Sequence, residues 1–134
     1  MSDNRFSGLP PYAEGLGIVI DHIDEGTPVL AVDFNSRIEG RPGYLHGGAL
    51  SGLMEMAAIA ALRADLERRG GKARIKPVNV AVEFMHGGKA HRTFARGRLT
   101  RSGRRLAVVS AEAWQDDPQR PIATALMNII LSGE

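Results

Sequence analysis

The chain has 134 residues, with 17 lysines and arginines against 15 aspartates and glutamates, and it contains no cysteine. This length fits one domain with a substantial core. The absence of cysteine excludes disulfide bonds and a thiolate nucleophile. The apolar runs are too short for a signal peptide or a membrane span. We therefore expect a soluble, cytoplasmic protein with no membrane partner.

The positive charge is concentrated in the second part of the chain. Residues 1–60 carry three arginines and eight acidic residues, whereas residues 61–105 carry thirteen lysines and arginines and three acidic residues. Such an excess suits a phosphate-bearing ligand, nucleic acid, an anionic membrane or simply a solvated basic surface. Aromatic residues make up only 5% of the chain and do not alternate with the arginines, which argues against binding of single-stranded nucleic acid.

The first part of the chain predicts a short lead-in and then a hairpin. Residues 1–14 form an irregular or partly helical lead-in, and residues 15–134 form a single domain. Apolar residues alternate with polar ones from 15 to 24 and again from 28 to 34, which predicts two strands joined by a turn. A glycine-rich loop with Pro42-Gly43 as a turn signal follows.

A long helix is predicted over residues 47–69. Almost every residue from 49 to 62 is apolar or small, so the helix must be covered by other elements on all sides. Glu55 is the single ionisable residue in that stretch, and a buried carboxylate must be paired, protonated or in use. Gly47 and Gly48 occupy the first turn, where N–H groups lack intrahelical acceptors and can approach a substrate oxygen.

Four further strands are predicted after the helix, at residues 78–85, 91–100, 105–115 and 122–131. The short turns between them predict an antiparallel meander, which joins the leading hairpin in one sheet. The fold class is therefore α+β, an antiparallel sheet of five to six strands wrapped around a long central helix.

The spacing of Gly47 and Glu55 restricts how they could act together. They are eight residues apart, about 12 Å along a helix, so one substrate carbon cannot contact both groups of one chain. A two-fold dimer with antiparallel helices would bring Gly47 of one subunit beside the partner's Glu55. A purely structural helix, in which Glu55 pairs with an arginine, is the alternative that these residues leave open.

Several kinds of site are excluded by spacing. The four histidines are scattered and have no zinc-binding spacing, which predicts no metal site: His22, His46, His86 and His91. Ser51 lacks the glycines of a hydrolase elbow, and no glycine pair forms a phosphate loop or a dinucleotide motif. Carboxylate chemistry opposite backbone N–H donors remains, an arrangement that suits acyl transfer.

The segment Leu45-His46-Gly47-Gly48-Ala49, followed by an acidic residue nine positions after the histidine, resembles the helix motif of hotdog-fold acyl-CoA thioesterases of the phenylacetate-degradation type. The resemblance covers residues 15–131. It implies a hotdog fold and a homodimer, or a homotetramer formed by two dimers. It also implies hydrolysis of a small or medium acyl-CoA or aryl-CoA, with no cofactor because CoA is part of the substrate.

The resemblance further implies roles for individual residues. The Gly47 N–H would polarise the thioester carbonyl, the partner's Glu55 would act as nucleophile or general base, and His46 would orient the loop or the thioester. The residues expected to contact the substrate or CoA are Gly48, Phe84, Met85, Arg101, Ser102, Gly103, Arg104 and Arg105. The arginines among them fit the basic excess, because CoA carries several phosphate charges.

Some features of the motif differ from its relatives. Relatives often carry Asn or Gln where this chain has Gly40, and Asn35 is the candidate to replace that side chain. Two other functions are weighed, a dehydratase or hydratase acting on acyl thioesters and a protein that binds acyl-CoA without turnover. No DNA-binding appendage fits beside the sheet, so we expect no nucleic-acid partner.

Overall fold

The computed structural model describes residues 9–71 and 73–133. Residues 1–8 of the predicted lead-in lie outside the described residues. The rest of the lead-in continues into a short helix, α1 (Pro11–Leu16), with a proline at its first position, where no N–H is needed. Gly17 ends this helix with a φ of 84°. The prediction of a strand beginning at residue 15 is therefore wrong for its first three residues.

The remaining elements follow the predicted order. Their bounds are β1 Ile18–Asp24, β2 Thr27–Val32, α2 Gly47–Arg68, β3 Arg74–Phe84, β4 Thr93–Ser102, β5 Leu106–Trp114 and β6 Ala123–Ser132, with a 3-10 turn at Ser36–Ile38 before α2. The strands form one six-stranded antiparallel sheet beside the long helix, which is the hotdog arrangement. No helix in the described ranges is both long enough and apolar enough to cross a membrane.

The sheet has the strand order β1-β2-β4-β5-β6-β3. The predicted four-strand meander is wrong for β3, which pairs with β6 and not with β4. Strand β4 pairs with β2 on one side and with β5 on the other, so it has no edge left for β3. Strand β3 pairs with β6 instead and forms that edge of the sheet. After β3 the chain passes the start of β6, where the N–H groups of Met85 and His86 donate to the Ile122 carbonyl at 2.9 and 3.1 Å.

Helix α2 packs against one face of the sheet and forms the core with it. Its inward side chains Leu53 and Met54 are fully buried. The closest approach is at Gly97 in β4, where a Cβ atom would lie 2.6 Å from the carbonyl oxygen of Ala57. Only glycine fits at this position, so the helix backbone lies directly on the strand.

The described residues cover the opposite side of α2 only in part, in contrast to the expectation from its composition. Side chains three or four residues apart on a helix share one face, and such a set is partly or fully exposed here. We call it the open face: Ser51, Glu55, Met56, Ile59, Ala60 and Arg63. The single chain therefore leaves one side of its central helix free for another molecule.

The C-terminal end of α2 is tied to two strand connections. Arg68 donates to the carbonyl oxygen of Gly26 in the β1–β2 turn at 3.0 Å. Asp65 accepts a hydrogen bond from the Ser102 hydroxyl at 3.1 Å and pairs with Arg69 at 3.0 Å. Arg69 also donates to the Ser102 hydroxyl at 2.8 Å. These contacts hold the β4–β5 turn beside the last turn of the helix.

Candidate functional site

The loop before α2 is folded tightly against the start of the helix. The Gly40 N–H donates to the Tyr44 carbonyl at 2.9 Å, and the His46 N–H donates to the Ile38 carbonyl at 2.8 Å. A Cβ atom on Gly40 would lie 3.0 Å from the Cα atom of His46. This close approach explains why the chain has glycine there, since a longer side chain would push the loop away from the helix.

His46 caps the first turn of α2. Its Nδ1 accepts a hydrogen bond from the Gly48 N–H at 2.9 Å, and its carbonyl accepts one from the Leu50 N–H at 3.0 Å. In the neutral ring, an accepting Nδ1 places the proton on Nε2. His46 therefore stabilises the helix start and keeps an exposed N–H donor on the other side of its ring.

Gly47 provides the backbone donor that the first turn leaves open. In the described part of the chain its N–H donates no hydrogen bond, whereas the Gly48 N–H is occupied by His46. The prediction that both glycines offer free donors is therefore wrong for Gly48. The Phe84 ring lies beside Gly47, with its Cζ 3.4 Å from the place of a Cβ atom, and the exposed Met85 follows Phe84.

Asn35 does not replace the amide side chain that relatives often place near the helix start. Its Nδ2 donates to the carbonyl oxygens of Leu16 and Asp33 at 3.3 and 3.0 Å, and its Oδ1 accepts from the Arg37 N–H at 2.9 Å. All these bonds hold the local backbone around the 3-10 turn. Both N–H groups of the Asn35 amide are therefore occupied by backbone carbonyls, which disfavours Asn35 as a donor that orients the substrate.

Glu55 lies on the open face of α2 and is partly exposed. Across the described ranges it forms no hydrogen bond and no ion pair. No arginine in residues 9–71 or 73–133 forms the alternative structural pair, and Ser51, one turn earlier, does not bond to Glu55. Gly47 lies eight residues away, about 12 Å along the helix. Within the described part of one chain, the carboxylate and the N–H donor thus have no partner and cannot meet each other.

The expected CoA-binding residues fall into two separate groups. Phe84 and Met85 lie near Gly47 at the N-terminal end of α2. Residues 101–105, which we call the arginine turn, lie at the other end, because Ser102 bonds to Asp65. Asp65 is 18 residues beyond Gly47, about 27 Å along the helix. A single chain does not bring the two groups together.

The arginine turn belongs to a strongly basic end of the sheet. The Leu131 N–H donates to the Arg105 carbonyl at 2.8 Å, and Arg74 in β3 pairs with Ser132 in β6. The start of β3 therefore lies at the same end as the turn. The exposed cationic residues here are Arg74, Lys76, Arg101, Arg104 and Arg105, and none forms an ion pair within the described residues. We call this region the basic end.

A charge network on the other side of the sheet fastens β1 to β4. Arg92 donates to Asp21 at 2.9 Å and to Asp33 at 2.8 Å. The hydrogen bond from Arg92, with a further one from His22, lowers the pKa of Asp21. The hydrogen bond to Asp21 has the larger effect on the pKa of Arg92, and together with the bond to Asp33 it raises that pKa. This network is structural, because its groups satisfy one another and lie on the face of the sheet away from α2.

A narrow apolar crevice lies between α1, the leading hairpin and the start of α2. Its walls include Leu16, Leu45 and Ala49, and its interior measures about 10 Å³. That is room for about one water molecule. An acyl group does not fit there in this conformation, so the open face of α2, with the apolar Met56 and Ile59, offers the larger apolar surface next to Glu55.

Comparison with known proteins agrees with this architecture. The sequence model described as "Thioesterase superfamily" matches residues 42–122. A protein from Chromobacterium violaceum is 30% identical, with a TM-score of 0.71, 91% of this chain covered and 83% of the other. A phenylacetic acid degradation-related protein from Ralstonia eutropha JMP134 is 26% identical, with a TM-score of 0.77 and coverage of 90% and 89%. A thioesterase family protein from Silicibacter pomeroyi is 22% identical, with a TM-score of 0.82 and 98% of each chain covered. No curated protein matches the sequence.

Proposed function

Because the chain belongs to the thioesterase superfamily, we propose that it hydrolyses CoA thioesters of small or medium acyl or aryl groups at sites shared by two copies of the chain. One observation carries this proposal. The Gly47 N–H and the Glu55 carboxylate have no partner among the residues that the structure describes, yet they lie about 12 Å apart along one helix. Each chain therefore carries two halves of different sites. A second copy completes both, because its Glu55 can lie beside Gly47 of the first chain and its Gly47 beside Glu55 of the first.

The free edge of β3 supports a two-fold pairing of this kind. Its side chains are largely exposed, with Val78 at 52% and Phe84 at 55%, and its outer backbone edge is unpaired in the described chain. Exposed apolar edge strands favour pairing with another strand. Antiparallel pairing of two β3 strands would set the partner's Phe84 beside Arg74 and make the two α2 helices antiparallel.

Further association of two such dimers has support on the outer face of the sheet. Leu106, Leu126 and Ile130 are exposed there, each by about two fifths. Apolar side chains clustered in this way are typical of a protein interface. A dimer of dimers is therefore part of the proposal, with the reaction site lying within each dimer.

The free groups suit hydrolysis of a thioester. The Gly47 N–H would donate to the carbonyl oxygen and stabilise the charge that develops there. As a general base, the partner's Glu55 would take a proton from water as the water oxygen bonds to the carbonyl carbon. The C–S bond then breaks, and the departing CoA sulfur takes up that proton, which gives free acid and CoA. As a nucleophile, the carboxylate would attack the carbonyl carbon and the C–S bond would break, which releases CoA and leaves an anhydride; water would then cleave the anhydride to the free acid and the Glu55 carboxylate.

The basic end supports binding of the CoA phosphates. In the proposed pairing, three strand spacings separate the partner's β3 from β5, which is about 14 Å. The extended pantetheine arm of CoA can span that distance. A CoA whose thioester lies at the partner's Gly47 would then reach the arginine turn with its phosphates. Phe84 and the arginine turn, apart in one chain, would serve one substrate across the dimer.

A second candidate is an acyl-CoA-binding protein without turnover. It is favoured by the tight packing at Gly40 and by the local bonds of Asn35, which leave no side-chain amide beside the helix start. Thioester hydrolysis would then lack a group that orients the carbonyl. Tight binding of an acyl-CoA by calorimetry, with no release of free thiol, would favour this function over catalysis.

The direct experiment is a panel of acyl-CoA and aryl-CoA esters, with release of free thiol as the readout. We expect turnover of at least one ester, and a loss of about 100-fold or more in kcat for Glu55→Gln. Glu112→Gln is the matched control, because Glu112 alternates with buried residues and faces away from α2. Equal rates for Glu55→Gln and Glu112→Gln would reject the role of Glu55, and no turnover of any ester would reject catalysis.

A further inference from the structure

The starting observation concerns Gly52, which lies on the open side of α2 and yet is buried. Tyr12, in α1, covers it. A methyl group on Gly52 would collide with the Tyr12 hydroxyl oxygen and lie only 3.0 Å from ring carbon Cε2. The ring therefore rests directly on the helix backbone, in a place that only glycine leaves free.

Helix α1 is built to hold Tyr12 in that position. Pro11 starts the helix, Ala13 is fully buried against the core, and Gly17 ends it in a left-handed conformation. Tyr12 nevertheless stays 53% exposed as a residue, and its hydroxyl forms no hydrogen bond in the described ranges. A fixed aromatic ring with a free hydroxyl on an open surface is available to a ligand or to water.

The position of Gly52 places this hydroxyl near Glu55. Residues three apart on a helix have Cβ positions about 5–6 Å from each other, and the carboxylate of Glu55 extends beyond its Cβ. The hydroxyl oxygen lies beside the Cβ position of Gly52, closer than van der Waals contact allows. This places the Tyr12 hydroxyl and the Glu55 carboxylate close enough to share one water molecule, and neither forms a hydrogen bond to another described residue.

We propose that Tyr12 is a positioning residue for the reaction at Glu55, and that its hydroxyl and the carboxylate hold the attacking water between them. This inference rests on the proposed thioesterase function. The inference applies to the general-base mechanism, in which Glu55 remains a free carboxylate and water attacks the thioester directly. Tyr12 donates one hydrogen bond to that water oxygen and fixes its direction, while Glu55 accepts the proton that leaves.

The first test is Tyr12→Phe, which keeps the ring on Gly52 and removes only the hydroxyl. We expect kcat to fall about tenfold or more, because a misplaced reactant is costly, with KM within about twofold and an unchanged melting temperature. Tyr44→Phe is the matched control, since Tyr44 is the other tyrosine of the chain and its hydroxyl also forms no hydrogen bond within the described residues.

The second test moves the ring without altering it. Gly52→Ala introduces the methyl group that collides with Tyr12, while alanine favours the helix. We expect a melting temperature equal to or above that of the wild type and a kcat reduced as in Tyr12→Phe. In the double variant the two losses should not add, because both act on the same hydroxyl.

The outcomes separate this inference from the function it rests on. If the wild type hydrolyses an ester and Glu55→Gln abolishes it, a Tyr12→Phe enzyme with wild-type kcat overturns the role of Tyr12 alone. A Gly52→Ala protein with normal stability and normal kcat also overturns the role of Tyr12 alone. This variant provides the test if Tyr12→Phe does not fold. A wild type without any turnover, or with turnover independent of Glu55, overturns both the inference and the proposed function.

Discussion

The two ends of the central helix differ in how their polar groups are used. At the C-terminal end, Arg68 and Arg69 both pair with Asp65, and the three residues hold two strand connections. At the N-terminal end, the loop is packed as closely, but the Gly47 N–H has no acceptor in the described chain. We call the C-terminal end of α2 the closed end, because its polar groups pair with one another, and the N-terminal end the open end. The closed end stabilises the fold, whereas the open end keeps a backbone donor that another molecule can use. Mutations at the two ends should accordingly separate stability from activity.

The largest expected effect is on activity at the open end. Gly47→Leu places a side chain against the Phe84 ring and in the path to the Gly47 N–H. We expect kcat/KM to fall about 100-fold, comparable to the loss of one oxyanion donor, with little change in melting temperature. Gly15→Leu is the control, because a Cβ there meets nothing within 4 Å. A Gly47→Leu enzyme as active as the control would show that this donor does not act on substrate.

At the C-terminal end, replacement of Asp65 should lower stability and leave kcat unchanged. Asp65→Ala removes the acceptor of Ser102 and the partner of Arg69. The free energy of unfolding should decrease by about 1–3 kcal/mol, because the hydrogen bonds of a half-buried group are lost. Urea unfolding measures this, with the exposed Asp116→Ala as the control. If Asp65→Ala lowered kcat at unchanged stability, the assignment of this end to structure would be incorrect.

The arginine turn lies at the closed end but is proposed to serve the partner's open end. Arg104→Ala should raise KM for an acyl-CoA several-fold, and added salt should weaken the difference, because the contact is between exposed charges. KM for the same acyl group on a short thiol without phosphates should not change. Arg98→Ala is the control on the outer face of β4. An equal rise for both kinds of ester would contradict a phosphate-binding role.

The smallest effect is expected on stability at low pH, at the network of Asp21 and Arg92. In this network, as at the C-terminal end of α2, the charges are paired with one another. The pKa of Asp21 is lowered in the folded chain. Its contribution to stability is therefore complete above the unfolded pKa, near 4, and is lost as the pH falls below that value. For a pair this exposed the contribution is about 1 kcal/mol or less. Asp21→Asn should remove this part of the pH dependence, and an unchanged acid profile would show that the pair contributes nothing.

Local features of the fold could be predicted from the sequence, and features that depend on distant contacts could not. The glycine pairs bounding α2 and the alternation in each strand are local signals, and they placed these elements within a few residues. The position of β3 beside β6 was missed, because an alternating strand fits either edge of a meander. The open face of α2 was missed because composition does not show which apolar residues the chain itself covers.

The positions of some candidate residues in the fold could be predicted from the sequence, but their arrangement could not, and their roles stay predictions. The motif around His46 indicated the helix start, and the spacing to Glu55 indicated that one chain is not enough. The separation of Phe84 from the arginine turn depends on the bond between Asp65 and Ser102, which no local pattern signals. Tyr12 had no role in the sequence interpretation, since only the folded chain shows that it rests on Gly52.

The shared site can be tested most directly by mixing two inactive variants, Gly47→Leu and Glu55→Gln. If the two subunits are unfolded and refolded together, each mixed dimer contains one site with an intact Gly47 and an intact partner's Glu55. About half the dimers are mixed and each has one working site, so activity should return to about a quarter of the wild type. Activity that stays at the level of the separate variants would contradict a site made by two subunits.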